Sequence, residues 1–350
     1  MKKYYSLYEK LKSDIISGEY KAGQKLPSKR VMADMTGYSQ ITVENAYGIL
    51  EQEGYIIPKE RSGYFVCEIK AFSKEGGEAV KRVKLEEPTP PTSEAFEYSL
   101  WFKTVRKVIS EKDKELFVKA PTAGCAVLRN AISDYLSRYR GISVSSEQII
   151  IGSGSEQLYE TAIKLLGRDK IYGIENPSYK QIEMVYHQEG VKICKLNMGE
   201  GGIESGELTS REFDVLHVTP FNSYPSGVTA NAPKMYEYLA WAKQNKSYII
   251  EDDFASEFFI PGNPIETLYS LSGGERVIYI NTFSKSLSSS MRVGYMILPK
   301  PLLSIYNNRL SGFSCSVPVL DQYVLAEFIN SGSFERHLNR IRRKMNKNYD

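Results

Sequence analysis

Short apolar runs separated by helical stretches constrain this chain most: Gln148–Gly152, Ile171–Glu175, Val215–Thr219, Tyr248–Asp252, Val277–Asn281 and Gly294–Leu298. Runs this short and continuous suit strands buried on both faces. Their alternation with helices predicts an α/β domain with a mainly parallel sheet. In open sheets of that kind, ligands gather beyond the carboxyl ends of the strands. Two reactive side chains are expected at such ends. Asp252 closes one run, and Lys285 follows another in Val277-Ile-Tyr-Ile-Asn-Thr-Phe-Ser-Lys-Ser.

A Lys amine able to form a Schiff base, with an Asp to pair with a pyridinium nitrogen, is what pyridoxal 5'-phosphate demands of a protein. The neighbours agree with that chemistry. Thr282 and Ser284 offer hydroxyls beside Lys285, and Arg292 offers a fork suited to phosphate. Ile151-Gly-Ser-Gly-Ser-Glu-Gln follows a strand and opens a helix, so the N–H groups of Ser155 and Glu156 would attract an anion. Taken singly, each feature has an ordinary reading: a loop before a helix, a solvated acid, a surface lysine. Together they point to a bound cofactor.

The first 67 residues carry a different pattern. Net charge is only +3, yet residues 1–30 hold eight Lys and Arg against three acids. Leu7, Leu11 and Ile15 recur at helical spacing up to Gly18; Ser28 caps a second helix ending near Gly37; Ser39 caps a third, with Val43, Ala46, Tyr47 and Leu50 inward. Two short strands follow, at Gly54-Tyr-Ile-Ile-Pro and Gly63-Tyr-Phe-Val, around a tip of Lys59-Glu-Arg-Ser. This is the outline of a winged helix-turn-helix. Its third helix would present Gln40, Ile41, Thr42, Glu44 and Asn45 to a DNA major groove, with Ser28, Lys29, Lys59, Arg61 and the wing at Gly63 toward the backbone. Residues 68–95, charged and rich in Gly and Pro, read as a linker.

The run Gly23, Leu26-Pro-Ser-Lys-Arg, Ser39-Gln-Ile-Thr-Val, Ala46-Tyr, Glu53-Gly-Tyr and Gly63-Tyr-Phe-Val resembles the N-terminal domain of the GntR regulators. From 96 to 350 the chain resembles the fold-type I aminotransferases, through Gly152-Ser-Gly-Ser-Glu-Gln, Glu175-Asn-Pro-Ser-Tyr, Tyr224-Pro-Ser-Gly, Glu251-Asp-Asp-Phe and Thr282-Phe-Ser-Lys. The two in this order look like the MocR subfamily. That resemblance implies pyridoxal 5'-phosphate held as an internal aldimine on Lys285, Asp252 on the ring nitrogen, and Ser155, Ser284 and Arg292 on the phosphate. It also implies Tyr179 and Tyr224 near the ring, Arg30 on DNA, and a homodimer. The chain departs from the family at Phe254, where a Tyr hydroxyl usually meets the cofactor, and at Gln40, where Arg is common. The family's C-terminal small domain, with its carboxylate-clamping Arg, is expected to be missing.

The expected function is transcription regulation: binding double-stranded operator DNA and sensing the cofactor or a small amino compound. The alternative is an aminotransferase carrying a DNA-binding domain, with Lys285 as catalytic nucleophile; Phe254 counts against turnover. A third reading makes the second domain a cofactor-free scaffold for dimerisation. Four scattered cysteines and few His give no zinc pattern and fit free thiols in a reducing cytoplasm. No apolar stretch reaches the roughly 18 residues of a membrane span.

Overall fold

The computed structural model describes residues 3–59, 62–67, 96–258, 266–288 and 290–347; the expected linker and Arg61 lie outside the described residues. Two compact units emerge. One holds the described residues before 68 together with 230–241, and the other holds 96–229 and those from 242 onward.

The smaller unit begins with α1 (Lys3–Ile16), α2 (Lys29–Thr36) and α3 (Gln40–Gln52), then the antiparallel hairpin of β1 (Ile56–Lys59) and β2 (Gly63–Val66). Local chemistry sets these boundaries. Ser28 Oγ accepts the Val31 N–H at 3.3 Å and Ser39 Oγ accepts the Thr42 N–H at 3.2 Å, satisfying N–H groups with no partner inside the helix. Gly37 ends α2 at φ +71°, a left-handed conformation that costs glycine little. Leu7, Leu11 and Ile15 pack on Val43, Ala46, Tyr47 and Leu50 in one core. Ala232 joins that core, a contribution the sequence reading did not anticipate.

The larger unit contains α4 (Tyr98–Glu111), α5 (Ala126–Tyr135), β3 (Ile149–Gly152), α6 (Ser155–Leu166), β4 (Ile171–Asn176), α7 (Lys180–Gln188), β5 (Lys192–Gly199), β6 (Gly202–Ile203), α8 (Ser205–Ser210) and β7 (Val215–Val218). Then come α9 (Ala232–Asn245), whose first residues belong to the smaller unit, β8 (Tyr248–Asp252), α10 (Leu268–Leu271), β9 (Val277–Thr282), α11 (Phe283–Ser286), β10 (Gly294–Ile297), α12 (Lys300–Leu310), α13 (Val319–Asn330) and α14 (Ser333–Lys347).

Among the described residues the sheet order is β3-β10-β9-β8-β7-β4-β5-β6. Strands β5, β4, β7, β8 and β9 pair in parallel. Each of the six apolar runs forms a strand, and β10 runs antiparallel to both β3 and β9, so the sheet is mixed. Strands β5 and β6 were not expected. They form the edge of the sheet, where β5 is mostly not buried and shows no continuous apolar run. Ile150, Tyr172, Ile174, Ile250, Ile278 and Ile280 pack against Leu158, Tyr159 and Ala162 of α6 and Ile182, Val185 and Tyr186 of α7. That helix layer fixes the loops at the strand ends.

Candidate functional site

Parallel pairing of β8 and β9 sets Asp252 opposite Ile280, so Asp252 and the end of β9 share one edge of the sheet. Lys285 lies just past the C-terminal end of β9, where the run was expected to deliver it. It sits on α11, a single helical turn that begins immediately after β9. Thr282 is still extended, and the chain turns at Phe283. Lys285 Nζ lies 4.0 Å from the centroid of the Phe254 ring, a favourable placement for a cation.

Three consecutive acids at the end of β8 have separate partners. Glu251 accepts the Leu268 and Tyr269 N–H groups at 2.8 and 2.9 Å, holding the start of α10. Asp253 accepts from Arg140 at 2.6 Å, Ser256 Oγ at 2.7 Å and the Tyr279 hydroxyl at 2.7 Å. Asp252, 4% exposed, accepts a hydrogen bond from the Tyr159 hydroxyl. Burial pushes the Asp252 carboxyl up to about 6, opposed by the Tyr159 hydrogen bond, raised further by Asp253 and lowered by Lys285. A buried carboxylate beside a lysine is an arrangement that holds a cationic ring nitrogen.

Behind Asp252 the residues are buried and neutral. The Tyr159 ring meets His217 edge to face at 5.0 Å, and His217 Nδ1 shares a hydrogen bond with the Tyr186 hydroxyl at 2.7 Å. Burial drives the imidazole down to about 3, so it stays uncharged at neutral pH. The sequence reading missed Tyr159. The available signal was its position one helical turn after Ser155, on the face of α6 turned to the sheet.

Ser155 opens α6 after Gly154, which adopts φ +91°. A Cβ at Gly154 would come within 2.7 Å of Arg292 Nη2, so the bare glycine leaves the guanidinium room against this backbone. Free N–H groups of a helix start and a guanidinium thus converge on one corner, a natural seat for phosphate. The Glu156 carboxylate is ion-paired with Arg292. Ser284 Oγ donates to the Met291 carbonyl at 3.0 Å, tying the two sides of this loop. Thr282 is half-buried beside them. Tyr179 and Tyr224, both half-buried, meet edge to face with centroids 6.0 Å apart.

The residues expected to read DNA lie in the smaller unit. Ser28, Arg30, Ser39, Gln40, Ile41, Glu44 and Asn45 are exposed, and Thr42 is half-buried. Ile41, at 71% exposure, is an apolar side chain with no role in this core. Lys29 is held by Glu44 at 2.5 Å, which neutralises a cation expected on phosphate. Lys59 stands over the Phe65 ring at 4.7 Å, and Gly63 takes φ +106° where the wing returns.

The chain matches the family Aminotransferase class I and II over residues 94–350 and Bacterial regulatory proteins, gntR family, over residues 3–66. It is 33% identical over 356 residues to an uncharacterized HTH-type transcriptional regulator, YdeL, of Bacillus subtilis (strain 168), covering 97% of this chain and 76% of that one. Identity to the probable rhizopine catabolism regulatory protein MocR of Rhizobium meliloti is 27% over 362 residues, with coverage of 96% and 73%. The pyridoxine biosynthesis regulator PdxR of Corynebacterium glutamicum is also 27% identical, over 345 residues, with coverage of 96% and 75%. Among solved structures, an archaeal alanine:glyoxylate aminotransferase shares the fold at TM-score 0.65 and 24% identity, over 74% of this chain and 66% of that one. The Pyrococcus horikoshii kynurenine aminotransferase gives the same TM-score and identity over 72% and 65%, so this chain spans just under two thirds of either structure's length. By its order of domains and its relatives, the chain belongs to the MocR subfamily of the GntR family, transcriptional regulators that join a winged helix to an aminotransferase-like domain.

Proposed function

We propose that this regulator binds pyridoxal 5'-phosphate in its larger domain and changes its hold on operator DNA in response to the cofactor, or to the cofactor with a small amino compound. The observation that carries the reading is the convergence of Lys285 and Asp252 at adjacent strand ends of the sheet. Lys285 would hold the cofactor's aldehyde carbon and Asp252 its ring nitrogen. Ser155, the N–H of Glu156, Thr282, Ser284 and Arg292 would hold its phosphate, with Tyr179 and Tyr224 beside the ring. When bound, the cofactor supplies an electrophilic carbon that takes up amines. The chain's own part is to position that carbon and keep Asp252 ionised through Tyr159.

In this reading residues 1–67 are the DNA-binding domain, 68–95 the linker and 96–350 the sensing domain. Ser28, Arg30, Lys59 and Arg61 would contact the DNA backbone, while Gln40, Ile41 and Thr42 face bases from a helix capped by Ser39, with Gly63 shaping the wing. The protein would act as a homodimer in the cytoplasm. Among the described residues, no helix is long and apolar enough to cross a membrane. One relative is described as a pyridoxine biosynthesis regulator and another as a regulator of rhizopine catabolism, which makes the cofactor itself and an amino compound the two effectors to try first. Regulation is favoured over turnover because Phe254 sets a bare phenyl ring under Lys285.

The test is an absorbance titration with pyridoxal 5'-phosphate on wild type and Lys285→Ala, followed by promoter binding with and without the cofactor. A Lys285-dependent visible band together with altered DNA affinity is expected. Absence of the band in wild type would sink the cofactor reading and leave the larger domain a scaffold.

A further inference from the structure

The phosphate corner carries a side chain that cofactor binding does not call for. Arg292 lies against Gly154, and Glu156, the second residue of α6, turns its carboxylate onto Arg292 Nη2. Two anion-attracting devices therefore meet here, the N–H groups opening α6 and the guanidinium, and a carboxylate of the chain already engages the second. Both partners are partly exposed, with side chains at 52% for Arg292 and 34% for Glu156, so either can move without breaking the core.

An incoming phosphate would have to take Arg292 from Glu156, or share it and sit beside a second negative charge. Either way the phosphate binds less tightly than it would beside a neutral side chain. The backbone N–H of Glu156 favours the anion while its side chain opposes it.

We infer that the Glu156 carboxylate is an internal competitor for Arg292 and sets the affinity of this corner for a phosphate monoester. This rests on the reading that the corner receives the cofactor's phosphate. The consequence is functional: a regulator must release its ligand when the concentration falls, and Glu156 weakens a grip that the other groups would make tight. An ordinary surface ion pair would contribute little and leave phosphate affinity untouched.

The experiment titrates wild type, Glu156→Gln and Glu156→Ala with pyridoxal 5'-phosphate and with pyridoxal, followed by absorbance, and with orthophosphate, followed by calorimetry. Both variants should bind pyridoxal 5'-phosphate about tenfold more tightly, about 1.4 kcal/mol. They should also gain affinity for orthophosphate and leave pyridoxal unchanged. In an Arg292→Ala background the gain from Glu156→Gln should shrink, because the contested cation is gone. Unchanged or weaker phosphate binding would overturn the inference, as would an equal gain for pyridoxal. If wild type forms no Lys285-dependent band, the cofactor reading fails separately. Orthophosphate then decides on Glu156: a gain in the variants sustains the competition, and no gain ends it.

Discussion

Asp252 sets the pH behaviour of the site. Its carboxyl is raised to about 6 by burial, above its ordinary value of 3.8. A raised carboxyl favours the folded state while protonated, and that contribution is lost as pH rises through about 6. Asp252→Asn should therefore stabilise the cofactor-free protein relative to wild type more at pH 8 than at pH 4, by up to about 3 kcal/mol. Urea unfolding at the two pH values measures this, and an equal difference at both would refute the assignment. Tyr159 acts on the same atom. Tyr159→Phe removes the hydroxyl that donates to Asp252 and leaves a buried acceptor short of a partner, a loss of about 1–3 kcal/mol. With Asp252→Asn already in place, the cost of Tyr159→Phe should fall, since its hydroxyl no longer serves a charge. Lys285, Asp252 and Arg292 were singled out at this scale because they stood beside the ends of apolar runs. Tyr159 and the Glu156 carboxylate were not, since a tyrosine and a glutamate in an amphipathic helix look like any others until the opposite strand or loop is placed.

The helices of the DNA-binding domain show how far local signals reach. Ser28, Gly37 and Ser39 marked the ends of α2 and α3, and the structure uses each as expected because capping involves atoms only a few residues apart. Ser39→Ala should cost about 1 kcal/mol in the stability of this domain. The Lys29–Glu44 pair joins α2 to α3 across 15 residues, and no periodicity reveals it. It also predicts an effect on DNA. Glu44→Gln removes a negative charge from the recognition edge and frees Lys29 for phosphate, so operator binding should tighten. The slope of log affinity against log salt should steepen by about one phosphate contact. An unchanged slope would mean that Lys29 stays away from the backbone. The strands tell the same story from the other side. The buried runs were read as strands from their composition, while β5 was missed because it is mostly not buried and carries no continuous apolar run.

Each of the two units of the whole molecule has its own buried core. Scanning calorimetry should accordingly resolve two transitions. Pyridoxal 5'-phosphate at 100 times its dissociation constant should stabilise the larger unit by about 2.7 kcal/mol. The transition of the smaller unit is the internal reference for that shift. A single transition insensitive to the cofactor would contradict the sensing role. By itself the sequence determined the class of each domain, their order, the helix caps, the strands built from continuous apolar runs and the residue types of the candidate site. These depend on contacts close along the chain or on burial patterns written into composition. Only the tertiary structure decided that Lys285 rides the helical turn after β9, that Tyr159 serves Asp252, that Glu156 occupies Arg292, and that residues 230–241 belong with the smaller unit. Those outcomes depend on which segments meet after folding, and pairing between distant segments leaves no local periodicity to read.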